Sequence, residues 1–278
     1  MSYRKKHIKN KLDRIKQKKP IFLKLWFWIL FLSCILLVLS IYFLLFYRGI
    51  QIEDIIISGN EKIEAQDLMN FASQEINIKL IDFGFLKLGT KSILLINSDK
   101  VTQNILNKFP IIEKLSLSKK YPKTLVLGIA ERKPIGAYCV AESEEQVCFL
   151  IDTNGVTFEK LGVVPDNITI VRQSIEGRQA LTGEEIVDKN IINAIAEIQK
   201  NLKNNFQIDL KEALITSPLR INITTNENWL IYFNLDSDSD INAQLVKLNL
   251  LLKEEISTES RKNLQYIDLR FKDRAFYK

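Results

Sequence analysis

Residues 25–47 read LWFWILFLSCILLVLSIYFLLFY, running from Leu25 to Tyr47. The stretch carries no charge, and its polar side chains are two serines and two tyrosines. As a helix rising ~1.5 Å per residue it is roughly 34 Å long, enough for a hydrocarbon core about 30 Å thick. A buried helix of a soluble core would keep a polar stripe, and this segment has none. Trp26, Trp28, Tyr42 and Tyr47 lie towards its ends, where amphipathic rings favour the headgroup zone. A cleaved signal peptide would have an apolar region of only ~7–15 residues closed by small residues. Tyr47-Arg48-Gly49 makes a poor cleavage site. The reading is an uncleaved signal anchor.

Charge on the two sides of this segment sets its expected orientation. Residues 1–24 hold ten bases (Arg4, Lys5, Lys6, Lys9, Lys11, Arg14, Lys16, Lys18, Lys19, Lys24) against one acid, Asp13. After it come Arg48, then Glu53 and Asp54. The positive-inside bias places the N-terminus in the cytoplasm and the bulk of the chain outside, a single-pass type II arrangement. Subtracting the tail from 39 bases and 33 acids leaves 29 bases and 32 acids downstream, a net −3. The overall +6 therefore resides in the tail, and no nucleic-acid-binding domain is expected. Ile8, Leu12 and Ile15 recur at helical spacing among the lysines, so a basic helix on anionic lipid and a disordered topology signal both fit.

Downstream, Ile50–Ser58 is β-branched and stops at Gly59-Asn60, a strand and turn. Glu64–Ala72 places Ala65, Leu68, Met69 and Ala72 on one helical face. INIKLIDFGFLKLG, within 74–90, has no clean period and reads as an irregular insert. Ser98 opens a helix carrying Val101, Ile105 and Phe109, stopped by Pro110. A strand follows with Ile111, Leu115 and Leu117 on one side and Ile112, Lys114, Ser116 and Ser118 on the other. After the turn at Lys119–Pro122, a second strand is lined by Leu125, Leu127 and Ile129. Strand, helix, helix, strand, strand makes a small α+β layer over 50–131.

The remainder, 132–278, reads as a second α+β domain. Pro134–Val140 and Val147–Ile151 are strands joined by AESEEQ, and Asp152–Gly155 supplies turn chemistry. Thr182 and Glu185 form a capping-box pattern ahead of Val187, Ile191, Ala194, Ile198 and Leu202. Strands follow near 207–215, 219–225 and 228–235. Then comes a helix with Ile241, Leu245, Leu248, Leu252 and Ile256, and a last strand, Leu264–Phe271. This predicts an antiparallel sheet with two helices on one face.

No catalytic constellation emerges. The sole histidine, His7, lies in the tail, so the outer domains lack an imidazole base or ligand. Gly84–Ser92 departs from a phosphate loop because Thr90 separates Gly89 from Lys91. Glu144/Glu145 and Asp236/Asp238 sit in polar, turn-like stretches and read as solvated acids rather than a glycosidase pair. No cofactor is expected.

Tyr121-Pro122-Lys123-Thr124-Leu125, running on to Glu131-Arg132-Lys133-Pro134, resembles the end of a POTRA domain and its exit in the FtsQ/DivIB family of bacterial cell-division proteins. Ser58-Gly59-Asn60, Phe109-Pro110, Leu150–Val156, Asn228-Trp229 and Tyr266–Arg270 fall in the order and spacing of that family. The resemblance implies a non-enzymatic, single-span scaffold at the division septum: a POTRA domain at 50–131 and a β domain at 132–278. Its partners would be other divisome membrane proteins. A small FtsB/DivIC-like single-span protein, paired with an FtsL-like one, would add a strand to the final strands. An envelope adaptor or cell-wall enzyme carrying a POTRA-like module is the alternative.

Two site expectations follow. In a hairpin centred on Ser143-Glu144, Cys139 faces Cys148, at a Cα separation a disulfide accepts. The other reading leaves both thiols reduced. In Leu264–Phe271, Ile267, Leu269 and Phe271 alternate with Tyr266, Asp268 and Arg270, and only Lys272–Lys278 follows. That strand is expected at or near a sheet edge, where a partner strand pairs along 270–277. By resemblance, Arg270 and Phe271 lie on the partner-contacting strand. Asp273 and Arg274 add charge, and Phe276 and Tyr277 add apolar anchors. The competing reading is a terminal strand that merely completes the core.

Overall fold

The computed structural model describes residues 24–83, 86–142, 145–174, 181–236 and 240–278. The basic tail with Ile8, Leu12 and Ile15, the hairpin tip Ser143-Glu144, Gly84 and Asp238 lie outside these residues. In chain order the first elements are helix α1 (Leu25–Phe46), strand β1 (Asp54–Ser58), helix α2 (Ala65–Glu75), strands β2 (Ile78–Phe83) and β3 (Leu86–Thr90), and helix α3 (Ser98–Lys108). Strands β4 (Ile112–Lys120) and β5 (Thr124–Glu131) complete this part. Then come β6 (Gly136–Glu142), β7 (Glu145–Ile151), β8 (Thr157–Leu161), β9 (Ile170–Gln173) and helix α4 (Lys189–Phe206). The rest is β10 (Leu210–Ser217), β11 (Arg220–Thr225), β12 (Leu230–Asn234), helix α5 (Ile241–Leu250), β13 (Tyr266–Asp268) and β14 (Phe276–Tyr277).

The chain forms two compact units. One holds the chain up to Ile56 with Ser73–Ser98 and Ser118–Val126. The other holds Ile57–Ala72, Asp99–Leu117 and Leu127–Lys278. Strands β1, β5 and β4 form a three-stranded sheet in that order.

In the first unit α1 buries none of its side chains and is long and apolar enough to cross a membrane. The insert expected to be irregular at 74–90 instead contains an antiparallel hairpin, β2–β3. A register shift between Lys79 and Ile81 inserts a bulge, and one extra residue inverts the alternation after it. That is why no single period runs through the sequence.

In the second unit Gly59 takes φ +83, and a Cβ there would collide with the Ile129 carbonyl, so the turn after β1 requires glycine. The Glu131 carboxylate accepts N–H bonds from Glu61, Lys62 and Ile63, fixing the approach to α2. Burial opposes this charge, but the three amides and Lys62 outweigh it and hold the carboxyl below its ordinary range. Leu68 and Ala72 are buried as expected, whereas Ala65 and Met69 are exposed because the buried face is narrower than four positions. Ile112, placed on the polar side of β4, is buried. Its N–H bonds to Phe109 O, which holds it at the end of α3. Arg132 donates from its backbone to Ile111 O and from Nε to Pro110 O, and Nη1 pairs with the buried Asp152.

The larger sheet has nine strands in the order β14-β13-β12-β11-β10-β9-β6-β7-β8. It is mainly antiparallel, with parallel junctions at β12–β13, β9–β10 and β6–β9. The fully buried Trp229, Phe233, Ile195, Ile198 and Leu248 belong to one core formed by this sheet with α4 and α5. Strands β8 and β9 lie in a stretch the sequence reading left unassigned. The expected capping box does not form. Gly183 takes φ +90, Glu185 bridges Val156, and α4 starts later, with Asp188 accepting from Asn190 N–H. Val187 is buried ahead of the helix rather than in it. At the far end of the sheet, β6 and β7 pair Val140 with Val147 and Cys139 with Cys148. The two cysteine Cα atoms are 4.1 Å apart, with their sulfurs at bonding distance.

Candidate partner-docking edge

The C-terminal corner of the large sheet gathers the residues singled out as docking candidates. The expected eight-residue strand is only three residues long, pairing Tyr266–Asp268 parallel to Leu230–Tyr232. It stops because Arg270 N–H turns back onto Asp268 Oδ1 at 3.1 Å, an Asx-type turn that lifts the chain out of the sheet. Ile267 and Leu269 are buried as the alternation predicts. Phe271, expected to face the helices with them, is 49% exposed because it lies beyond the turn.

The strand is also not the sheet edge. Residues after the loop return as β14, pairing Tyr277 with Ile267 and Phe276 with Asp268. Gln265 N–H bonds to Lys278 O at 2.6 Å and Lys278 N–H to Tyr266 O at 3.2 Å. Since Lys278 and Tyr266 exchange bonds, the alternation of an antiparallel ladder turns the N–H and C=O of Tyr277 outward. The terminal edge of the nine-stranded sheet is therefore β14.

Around it the side chains are held by identifiable contacts. Asp268 is 7% exposed. Its carboxylate receives Arg270 Nε at 2.9 Å and Nη2 at 2.6 Å, a bidentate pair. Burial pushes the Asp268 carboxyl up, but the hydrogen bonds and charge of Arg270 outweigh it and hold it below the carboxylate range. The guanidinium lies 5.0 Å from the Tyr232 ring centroid, and Tyr266 packs beside that ring. Phe271 meets Phe276 edge to face at 5.1 Å, and the Tyr277 hydroxyl reaches Glu255 at 3.4 Å. Asp273 and Arg274 are exposed on the loop.

Sequence reasoning missed Lys247. Its ammonium donates to the carbonyls of Leu269, Phe271 and Lys272, clamping the loop between β13 and β14. Burial pulls its pKa down, against the opposing pull of Asp273. Nothing in the sequence marks it, since it stands between core positions Leu245 and Leu248 like any surface lysine. Tyr232, the shelf under Arg270, was equally hidden because strand neighbours are set by the fold. A cleft of about 390 Å³ lies beside the loop, lined by Asn234, Asp236, Asp240, Lys247 and Arg270 among others. Cys139 and Cys148 are on β6 and β7, far along the sheet order, and take no part in this corner.

The corner offers hydrogen-bonding backbone, three exposed aromatic rings (Phe271, Phe276 and Tyr277) and mixed charge with a basic excess. Among the described residues no group of His, Cys, Asp and Glu could hold a metal ion. Residues 141–270 match the family model described as Cell division protein FtsQ/DivIB, C-terminal. A search of curated proteins returns no match to the chain.

Proposed function

We propose, from the match of residues 141–270 to the C-terminal model of the FtsQ/DivIB cell division proteins, that the chain is a member of that family and a non-enzymatic, bitopic scaffold of the division machinery. Residues 1–24 form a cytoplasmic tail and 25–47 the anchor. A POTRA domain over 50–131 and a β domain over 132–278 recruit and bridge other division proteins at the septum. The β domain receives a strand from a small FtsB/DivIC-like single-span partner, itself paired with an FtsL-like protein.

The observation that carries this reading is the outward-facing backbone of Tyr277 on the terminal strand of the large sheet, flanked by exposed Phe271 and Phe276. A partner strand adding there gains backbone hydrogen bonds, with the rings supplying apolar contact. Arg274, Lys272 and Lys278 beside one acid, Asp273, favour an acidic partner segment. The test is co-purification of the small partner with the full chain. Deleting Arg274–Lys278, or Phe276→Ala with Tyr277→Ala, abolishes recovery while the domain stays folded. Undiminished recovery by a folded variant places the docking site elsewhere.

A further inference from the structure

The β2–β3 hairpin and the turn after it are joined to the end of α1 by side-chain hydrogen bonds. A helix leaves its last carbonyls without intrahelical partners, and at a membrane surface these must be satisfied. Ser92 Oγ donates to Leu44 O at 3.0 Å. Thr90 Oγ1 and Gln51 Nε2 both donate to Leu45 O. Gln51 Oε1 in turn accepts from Lys91 N–H at 2.9 Å. Backbone bonds from Ile52 N–H to Lys91 O and from Ile93 N–H to Ile50 O continue the connection at 3.0 and 2.9 Å. Thr90 and Ser92 are buried, and every residue named here belongs to one compact unit.

This junction fixes where nearby apolar side chains lie. Leu88 shares a strand face with Thr90, two residues and about 7 Å away. Leu94 and Leu95 sit on the turn closed by Leu95 N–H to Ser92 O. Leu88, Leu94 and Leu95 are all exposed, at 38, 45 and 44%. Single exposed leucines are ordinary, but these gather at the end of a membrane-length helix. The headgroup layer beyond the hydrocarbon core is roughly 5–8 Å deep on each side, the same order as the strand step from Thr90 to Leu88. Lys79 and Lys91, also exposed, carry cationic heads on apolar stems suited to that boundary.

We propose that the hairpin and the 92–96 turn are a membrane-docking platform: Leu88, Leu94 and Leu95 insert into the headgroup region of the leaflet at the C-terminal end of α1. The occupant is the bilayer rather than a protein, because the leucines flank Thr90 and Ser92, which are hydrogen-bonded to the last turn of a helix long and apolar enough to cross a membrane. The platform makes the first unit a rigid extension of the anchor instead of a domain on a free tether. It rests on α1 being membrane-inserted, and the experiment separates the two.

Full-length chain carrying Cys34→Ser, Cys139→Ala and Cys148→Ala is reconstituted into nanodiscs of mixed zwitterionic and anionic phospholipid. A nitroxide is attached at Leu88→Cys, at Leu95→Cys or, within α1, at Leu36→Cys. Collisions with oxygen, which concentrates in lipid, are compared with those of a water-soluble nickel chelate. The expected result is an oxygen-to-nickel ratio at 88 and 95 several-fold above that of the free label in buffer, and higher still at 36. A ratio equal to the free label at 88 and 95, with 36 in lipid, overturns the platform alone. Suppressed collisions with both reagents, with spin–spin broadening, mean a second copy covers the face and overturn it as well. An aqueous label at 36 removes the anchor and the platform together.

Discussion

Asp268 and Arg270 do two jobs with one ion pair: they end β13 and they set the start of the loop that returns as β14. The pair's stability has a definite pH dependence. The Asp268 carboxyl is depressed in the folded chain, burial being outweighed by Arg270. Its contribution is therefore present above the unfolded carboxylate value of about 3.9 and is lost as pH falls through the lower folded value. Replacing Arg270 by alanine leaves a nearly buried carboxylate without its bidentate donor. The Arg270 side chain is 36% exposed, so water replaces part of what is lost. Arg270→Ala is expected to cost about 1–3 kcal/mol at neutral pH. The difference shrinks below about pH 4 as Asp268 protonates. Chemical unfolding of the two proteins at several pH values checks this, and a pH-independent difference contradicts it. Arg270→Lys restores only part of the loss, since a lysine cannot make the paired donation.

At the level of elements, the β6–β7 hairpin carries its own prediction. Direct pairing of Cys139 with Cys148 at 4.1 Å, next to Ala137 and beside half-buried Leu161 and Ile170, leaves both sulfurs shielded from solvent. Thiol alkylation of unfolded, unreduced protein is expected to modify Cys34 alone, and prior reduction exposes two more sites. Three modified thiols without reduction mean the pair is free. Closing so short a loop stabilises by about 2–3 kcal/mol in a chain-entropy picture. This register was readable because a tight hairpin fixes pairing by counting outward from its tip. Other elements show where such reading stops. The β2–β3 bulge at Lys79–Ile81 erases the two-residue period that reveals strands. The Thr182/Glu185 pattern has the letters of a capping box, but Gly183 at φ +90 and the bridge to Val156 use that backbone otherwise. Strand β9 pairs parallel with β6 and β10, partners a local pattern cannot name. β14 is two residues long, too short for any periodicity, and exists because Ile267 and Asp268 offer it an edge. Thus the candidate residues named from the sequence gather at one corner beside the sheet edge, while the two-residue strand that forms that edge carries no local signal.

For the whole molecule, orientation decides whether these surfaces can meet partners outside the cell. The ten bases and one acid of residues 1–24 face a short segment after α1 holding Arg48, Glu53 and Asp54. Positively charged flanks resist translocation, whereas acidic residues contribute little, so the tail is expected to stay in the cytoplasm and everything from Gln51 to cross. That orientation would place Cys139 and Cys148 in a compartment that permits oxidation and leave Cys34 within the span. It would also direct the basic tail to the cytoplasmic leaflet, whose anionic lipids attract cations. Protease added to spheroplasts is then expected to digest the folded units and leave a small fragment containing α1 and the tail. Moving charge tests the cause: replacing the lysines of 5–19 by glutamine and adding lysines after Arg48 is expected to invert a fraction of the chains. Protection of the large part in the unaltered protein would reverse the orientation, putting β14 in the cytoplasm beyond reach of an extracytoplasmic partner strand. Inverted chains that still recover the small partner would show instead that recruitment runs through the span or the tail.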